Sequence, residues 1–232
     1  MNRWLADPDL LIRNRIPKDL PPLRPAASQE DALMVARGEN GEPLVPITGV
    51  EVKRCYAEID FTGMPPQAML RAGLLDRIQR AQTALPEGFT IVVLDGWRTR
   101  DFQGELLNYY RDLSGGDMGL FVSDPSWSQR MLPHVSGGAV DLTLAVDGVP
   151  VAMGSDFDVF DESSFLLAFE DVPDDGDPAR LLAKDLRRLL GKVLVDAGCA
   201  PYPLEWWHWS YGDQLWAAFA GESVTLYSEI DD

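Results

Sequence analysis

The 232-residue chain carries only two histidines, and each lies close to a carboxylate. His134 stands in Pro-His-Val-Ser-Gly-Gly-Ala-Val-Asp, which ends at Asp141; His208 closes Glu-Trp-Trp-His, which begins at Glu205. Imidazole is the commonest metal ligand and is suited to proton transfer near neutrality, so two such clusters suggest one assembled site. The candidate ligands are His134, Asp141 and His208, with Glu205 left over to handle protons. Three protein ligands plus an open position is the stoichiometry of catalytic rather than structural zinc (Zn2+).

Each feature also has a plainer reading. Gly137 and Gly138 permit a tight path from His134 to Asp141, yet a surface-loop histidine and a strand-start cap fit that spacing equally well. Glu205 and His208 share a face on a helical turn but oppose each other on a regular strand, so a joint site requires a bulge or an irregular end there. Trp206, Trp207 and Trp209 would exclude water and strengthen local charge interactions, but they also read as simple core. Arg98, after Asp95-Gly96-Trp97, is placed to stabilise charge on a reacting carbonyl oxygen. Standing alone it reads as an ordinary ion-pair partner.

The elements that must position these residues are partly periodic. Met69, Leu70, Leu74, Leu75 and Ile78 predict a helix running from Pro65 to the Leu85-Pro86 break. Phe89 to Leu94 predicts a central strand, and Asp101 to Leu113 a second helix stopped by Ser114-Gly115-Gly116. Ala139 to Val146 predicts a strand that turns at Asp147-Gly148 and returns through Val149 to Ala152. Leu181, Leu182, Leu186, Leu189, Leu190, Val193 and Leu194 form the stripe of a helix over 178–197, with Gly198 as its cap. Glu205 to Tyr211 is aromatic and strand-like. Without regular strand–helix alternation, the expected fold is α+β: one domain with a central, mostly antiparallel sheet flanked by helices and the zinc site at the sheet. Residues 1–50 are rich in proline and charge and predict an extended arm, without helical or strand periodicity, packing on the body of residues 51–232.

Composition narrows the partners. Apolar and charged contents of 46% and 25% are ordinary for a globular protein. A net charge of −17 repels phosphate backbones and anionic lipid, so nucleic acid and membrane surfaces are not expected partners. No basic region followed by an apolar run opens the chain, and the expected location is cytoplasmic. Cys55 and Cys199, without CxxC spacing, are expected to be buried thiols.

Five motifs in order carry a resemblance across residues 56–209. Glu-Trp-Trp-His, the His-to-Asp spacing running into Leu-Thr-Leu, and Asp-Gly-Trp-Arg resemble the zinc D-alanyl-D-alanine dipeptidases, within the wider zinc D,D-peptidases. Tyr56-Ala57 followed by Asp60-Phe61-Thr62-Gly63 is similar to the dipeptidase branch's Tyr-Ala-x-x-Asp-Asn-Phe-Thr-Gly, shorter here by one residue. Met153-Gly154-Ser155-Asp156-Phe157-Asp158 is similar to its Met-Gly-Ser/Thr-x-Phe-Asp.

The resemblance implies zinc on His134, Asp141 and His208, Glu205 as general base and Arg98 as stabiliser of the tetrahedral intermediate. It also implies Asp158 and Tyr56 at the free amino group of a small dipeptide substrate. Two positions depart from the family: Leu132 replaces the serine of Ser-x-His, and Thr99 replaces the proline after the arginine. Both touch the substrate side, where Arg100 is a candidate replacement contact for the substrate's carboxylate. Alternatives are a zinc D,D-carboxypeptidase or endopeptidase acting on peptidoglycan stems, and a non-hydrolytic zinc-binding descendant; Glu205 argues against the last.

Overall fold

Two apolar runs, Phe89–Asp95 and Ala139–Val146, pair antiparallel at the centre of the sheet, and every residue of the second is buried. The computed structural model describes residues 3–59, 61–116, 118, 121–126 and 130–230. In chain order its strands are β1 (Leu44–Pro46), β2 (Glu51–Val52), β3 (Met69–Arg71), β4 (Phe89–Asp95), β5 (Ala139–Val146), β6 (Val149–Pro150), β7 (Ala200–Pro201) and β8 (His208–Ser210). The helices are α1 (Gln29–Leu33), α2 (Ala72–Thr83), α3 (Arg100–Ser114), α4 (Pro178–Asp196) and α5 (Gln214–Ala220). The main sheet has the order β2-β4-β5-β8-β7, with β6 also on β5, while β1 and β3 form a separate pair. Among the pairings of these strands only β2–β4 is parallel, so the α+β, mostly antiparallel expectation holds.

Local chemistry explains most boundaries. The β5–β6 hairpin turns through Asp147 and Gly148 with φ of 51° and 81°, as a two-residue primed turn requires. Thr99 accepts the Phe102 amide to start α3, and Gly115, at φ 69°, ends it. Asp177 accepts the amides of Ala179 and Arg180 ahead of α4, whose first residue is Pro178.

The first predicted helix is corrected. It begins at Ala72, not near Pro65, because Met69–Arg71 pairs with Leu44–Pro46 as β3. Met69 and Leu70 fit a helical stripe, but partner strand and buried Arg71 decide otherwise. The Arg71 guanidinium is fastened to the carbonyls of Ser136 at 2.9 Å and Glu42 at 2.5 Å.

Residues 3–50 hold more local structure than their pattern predicts: a 3-10 turn at Leu10–Arg15, α1 and β1. At six, five and three residues these elements are too short to leave a period, and side-chain caps from Asp9 and Ser28 set the first two. Trp4, Leu5 and Ile16 are buried in the main core. The segment is also laced to the far end of the chain. Ala36 exchanges backbone hydrogen bonds with Ser223 and Thr225 at 3.0 and 2.9 Å, and Glu39 accepts the Ser228 amide at 2.8 Å. Cys55 and Cys199 are free and buried, as expected. Among the described residues no helix is long and apolar enough to cross a membrane.

One buried cation ties α4 to the loop beside the sheet. Arg187, 2% exposed, donates to the carbonyls of Met153 (2.8 Å), Phe165 (2.6 Å) and Ser163 (2.6 Å), and its guanidinium lies over Phe169. Arg187→Met keeps much of the volume but strands three carbonyls. The expected loss is about 3 kcal/mol or more of unfolding free energy, read as a lower urea midpoint at unchanged slope.

Candidate active site

The register of β5 against β8 sets Asp141 directly opposite His208, which places both side chains on one face of the sheet. His134 arrives from the tight turn before β5. That turn needs Gly137 at φ 72°, where an added Cβ would lie 2.8 Å from Leu44. Glu205 lies outside β8, in a turn closed by the His208 amide on the Glu205 carbonyl at 3.3 Å. This is the irregular end that a joint Glu205–His208 site requires. Glu205 Oε2 stands 3.9 Å from His208 Nδ1.

Three donor atoms converge. His134 Nε2 is 3.2 Å from His208 Nδ1 and 3.4 Å from Asp141 Oδ2, and His208 Nδ1 is 3.1 Å from Asp141 Oδ1. All three residues are buried. His134 Nδ1 faces the Gly96 carbonyl at 2.7 Å, so the proton sits there and the Nε2 lone pair points at the cluster. Burial, then the Arg98 charge, depresses the His134 pKa and keeps the ring neutral. Burial alone would raise Asp141, but the two imidazoles outweigh it and hold the carboxyl well below its ordinary range. Two imidazoles and a carboxylate whose donor atoms lie within 4.8 Å of one another fit a divalent metal, with a donor set suited to zinc.

Arg98 lies beneath this cluster and is itself buried. It donates to Asp95 at 2.6 Å, Gln103 at 3.0 Å and Asp141 at 3.2 Å. Burial opposes its charge, but Asp95, Tyr56 and Asp141 raise its pKa above the usual value. Burial pushes the Glu205 carboxyl well above its ordinary pKa, and the charges of Asp141 and Asp158 add to the rise.

Asp158 and Tyr56 are in direct contact. Tyr56 donates its hydroxyl to Asp158 Oδ2 at 2.7 Å, and Tyr110 donates to the same oxygen. Burial raises the Asp158 carboxyl to about 7 against the pull of those two hydroxyls. Its backbone is left-handed, φ 58°, a conformation aspartate tolerates better than most residues. The loop bearing Asp158 is pinned at Asp156, whose carboxylate accepts the amides of Trp4 (2.8 Å) and Leu5 (2.9 Å). Asp60, part of the Tyr56 motif, lies outside the described residues.

All seven candidate residues line one cavity, together with Trp207. Trp206, Trp207 and Trp209 are fully buried, so the core reading of the tryptophans also stands. The departures at 99 and 132, and Arg100, lie outside the cavity lining. Thr99 caps α3 and donates to the Gly63 carbonyl, and the Leu132 side chain is buried. Arg100 lies outside that lining and donates to the Pro125 carbonyl and to Glu229.

Sequence reasoning missed Asp95, Gln103 and Tyr110 as supports. Asp95 had a signal, sitting three residues before Arg98 in the same motif. Tyr110 has none, since only the packing of α3 brings it to Asp158.

A family model described as M15 peptidase, D-Ala-D-Ala dipeptidase, matches residues 123–225. The chain is 31% identical over 211 residues to a D-alanyl-D-alanine dipeptidase of Synechocystis sp., covering 76% of this chain and 85% of that one. A D-alanyl-D-alanine dipeptidase of Enterococcus faecium is 26% identical over 187 residues, covering 73% of this chain and 79% of that one. Among solved structures, the LdcB LD-carboxypeptidase, reported for its basis of peptidoglycan recognition, aligns at a TM-score of 0.38. That alignment has 18% identity and covers 84% of this chain and 90% of the other. With one relative 31% identical across most of both chains, and a family model over the stretch from His134 to His208, this chain belongs to the D-alanyl-D-alanine dipeptidase family of M15 metallopeptidases and is a peptidase enzyme.

Proposed function

We propose that the protein is a zinc dipeptidase that hydrolyses D-alanyl-D-alanine or a similar small free dipeptide. The supporting observation is the convergence of His134 Nε2, Asp141 and His208 Nδ1 beside Glu205, in a cavity that also holds Asp158. Zinc on those three residues would supply Lewis acidity, polarising the scissile carbonyl and bringing the pKa of a water from ~15.7 toward ~7.

The protein side of the reaction follows from the neighbouring groups. Glu205 takes the proton from the attacking water and returns it to the leaving nitrogen, and its raised pKa suits a group that must do both. Three of the Arg98 N–H groups are engaged by Asp95, Gln103 and Asp141, and the guanidinium carries about five in all. The remainder serve the carbonyl oxygen as charge builds on it. Asp158, steadied by Tyr56 and Tyr110, meets the substrate's ammonium group. A blocked amino end leaves that buried carboxylate unmatched, which is how the site rejects longer peptides. The acidic chain keeps nucleic acid and anionic membrane out of the partner set, and a cytoplasmic location suits a free dipeptide substrate.

The test is hydrolysis of D-Ala-D-Ala, L-Ala-L-Ala and N-acetyl-D-Ala-D-Ala by zinc-loaded protein, with and without a chelator. The expected result is chelator-sensitive cleavage of free D-Ala-D-Ala, with kcat/KM lower by roughly 100-fold or more for the acetylated peptide. Efficient cleavage of the acetylated peptide would replace this reading with a D,D-carboxypeptidase.

A further inference from the structure

The sheet lays the site out as a transverse row. Asp95 of β4 stands opposite Asp141 of β5, and Asp141 stands opposite His208 of β8. The Tyr202 amide, just past β7, donates to the His208 carbonyl at 3.1 Å. Side-chain contacts follow the same order. Tyr56 holds Asp158 at 2.7 Å, and the Arg98 guanidinium lies 5.6 Å from the Tyr56 ring centre. Arg98 reaches Asp141, Asp141 reaches His208, and the His208 ring lies 5.3 Å from the Tyr202 ring. Asp158 is therefore at one end of the row and Tyr202 at the other, with the candidate metal ligands between them.

A peptide held by its ammonium at Asp158 and cut at those ligands extends its leaving residue toward Tyr202. Neighbouring strands lie ~4.8 Å apart and one residue spans ~3.5 Å. One residue fits the step from β8 to β7, and a second meets whatever stands behind Tyr202. What stands there is α1, from the N-terminal arm. Gln29 Nε2 donates to the Tyr202 hydroxyl at 2.7 Å, and Gln29, Ala32 and Leu33 all line the cavity. Their spacing of three and four residues puts them on one face of the helix. Leu33 is 40% exposed, so it stands where the cavity meets solvent.

We propose that α1, through Leu33 and Gln29, closes the leaving-residue end of the cavity and limits the substrate to one residue beyond the scissile bond. This rests on the dipeptidase reading and adds a second length gauge to it. Asp158 guards the amino end, and α1 guards the carboxyl end. The wall is held on both sides. Ser28 caps α1 by accepting the Asp31 amide at 3.0 Å. The Val35 carbonyl accepts from buried Gln214 at 3.3 Å, and the side-chain oxygen of Gln214 accepts the Met131 amide at 2.8 Å. A third residue has to displace Leu33 or break the Gln29–Tyr202 bond.

The experiment compares kcat/KM for D-Ala-D-Ala, D-Ala-D-Ala-D-Ala and N-acetyl-D-Ala-D-Ala in zinc-loaded wild type, L33A and Q29A, with zinc content and Tm recorded for each. Cleavage of the tripeptide at its first bond is followed by the initial release of dipeptide. L33A should raise the tripeptide-to-dipeptide ratio by roughly 10-fold or more and leave the acetyl-to-free ratio at the wild-type value. An unchanged tripeptide ratio overturns the inference, and so does an equal rise in both ratios, which marks a general loosening. A wild type that cleaves tripeptide and dipeptide alike also overturns it, while leaving the metallopeptidase chemistry in place. A wild type inactive on D-Ala-D-Ala removes the dipeptidase reading and this inference together. Should L33A lose zinc or fold, Q29A decides by the same two ratios.

Discussion

Glu205→Gln is expected to lower kcat by about 1,000-fold or more while zinc content stays at the wild-type level. The substitution keeps the shape of the side chain and removes only its capacity to accept a proton. The two carboxylates whose charges bear on Glu205 are already engaged. Asp141 is engaged by His208 and Arg98, and Asp158 by two tyrosine hydroxyls. Glu205 contributes no donor atom to the three-residue metal cluster, so metal affinity should survive its loss. Stability should not suffer either, because burying a carboxyl near Asp141 and Asp158 is unfavourable and a neutral amide avoids that repulsion. Single-turnover rates, elemental analysis and a thermal melt on one preparation separate these effects. Near-normal turnover would dismiss Glu205 as the base.

His134→Ala or His208→Ala should instead strip the metal. The chain has two histidines in all, so neither has a substitute imidazole within reach. Even outer partners of metal ligands are worth about 10–100-fold in affinity, and removing a ligand should cost at least the upper end of that range. After dialysis against a weak chelator the variants should retain little zinc where the wild type retains about one equivalent, with activity falling in parallel. In His134→Ala the Gly96 carbonyl also loses the ring nitrogen that faces it at 2.7 Å. Full occupancy in either variant would locate the metal elsewhere in the chain.

The contrast between the legible and the hidden parts of this protein has a physical basis. Phe89–Asp95 and Ala139–Val146 stand out because strands buried on both faces need mostly apolar runs, and α4 stands out because its stripe persists for five turns. The three candidate metal ligands and Glu205 are visible because histidine is rare here and the Glu205–His208 spacing is short. What the sequence hides is cross-chain pairing. Nothing in Met69-Leu70-Arg71 announces that Leu44–Pro46 will claim it as a strand. Tyr110 and Tyr202 reach the cavity only through tertiary packing, and the contacts of Thr99 with Gly63 and of the Leu132 amide with Glu229 are equally hidden in the sequence.

The lacing of residues 36–40 onto residues 223–228 bears on how the enzyme is born. During synthesis Glu39 and Arg71 leave the ribosome long before Ser228, whose amide and carbonyl they bind, and Glu229, which clamps Leu132 two residues from His134, comes later still. The turn that presents the first histidine therefore gains its last anchor when the far end of the chain has returned to its beginning. Contacts of such long sequence separation form slowly. The candidate metal pocket is therefore expected to be completed late, and a nascent chain halted before residue 223 would lack the clasp on Ala36 and Glu39.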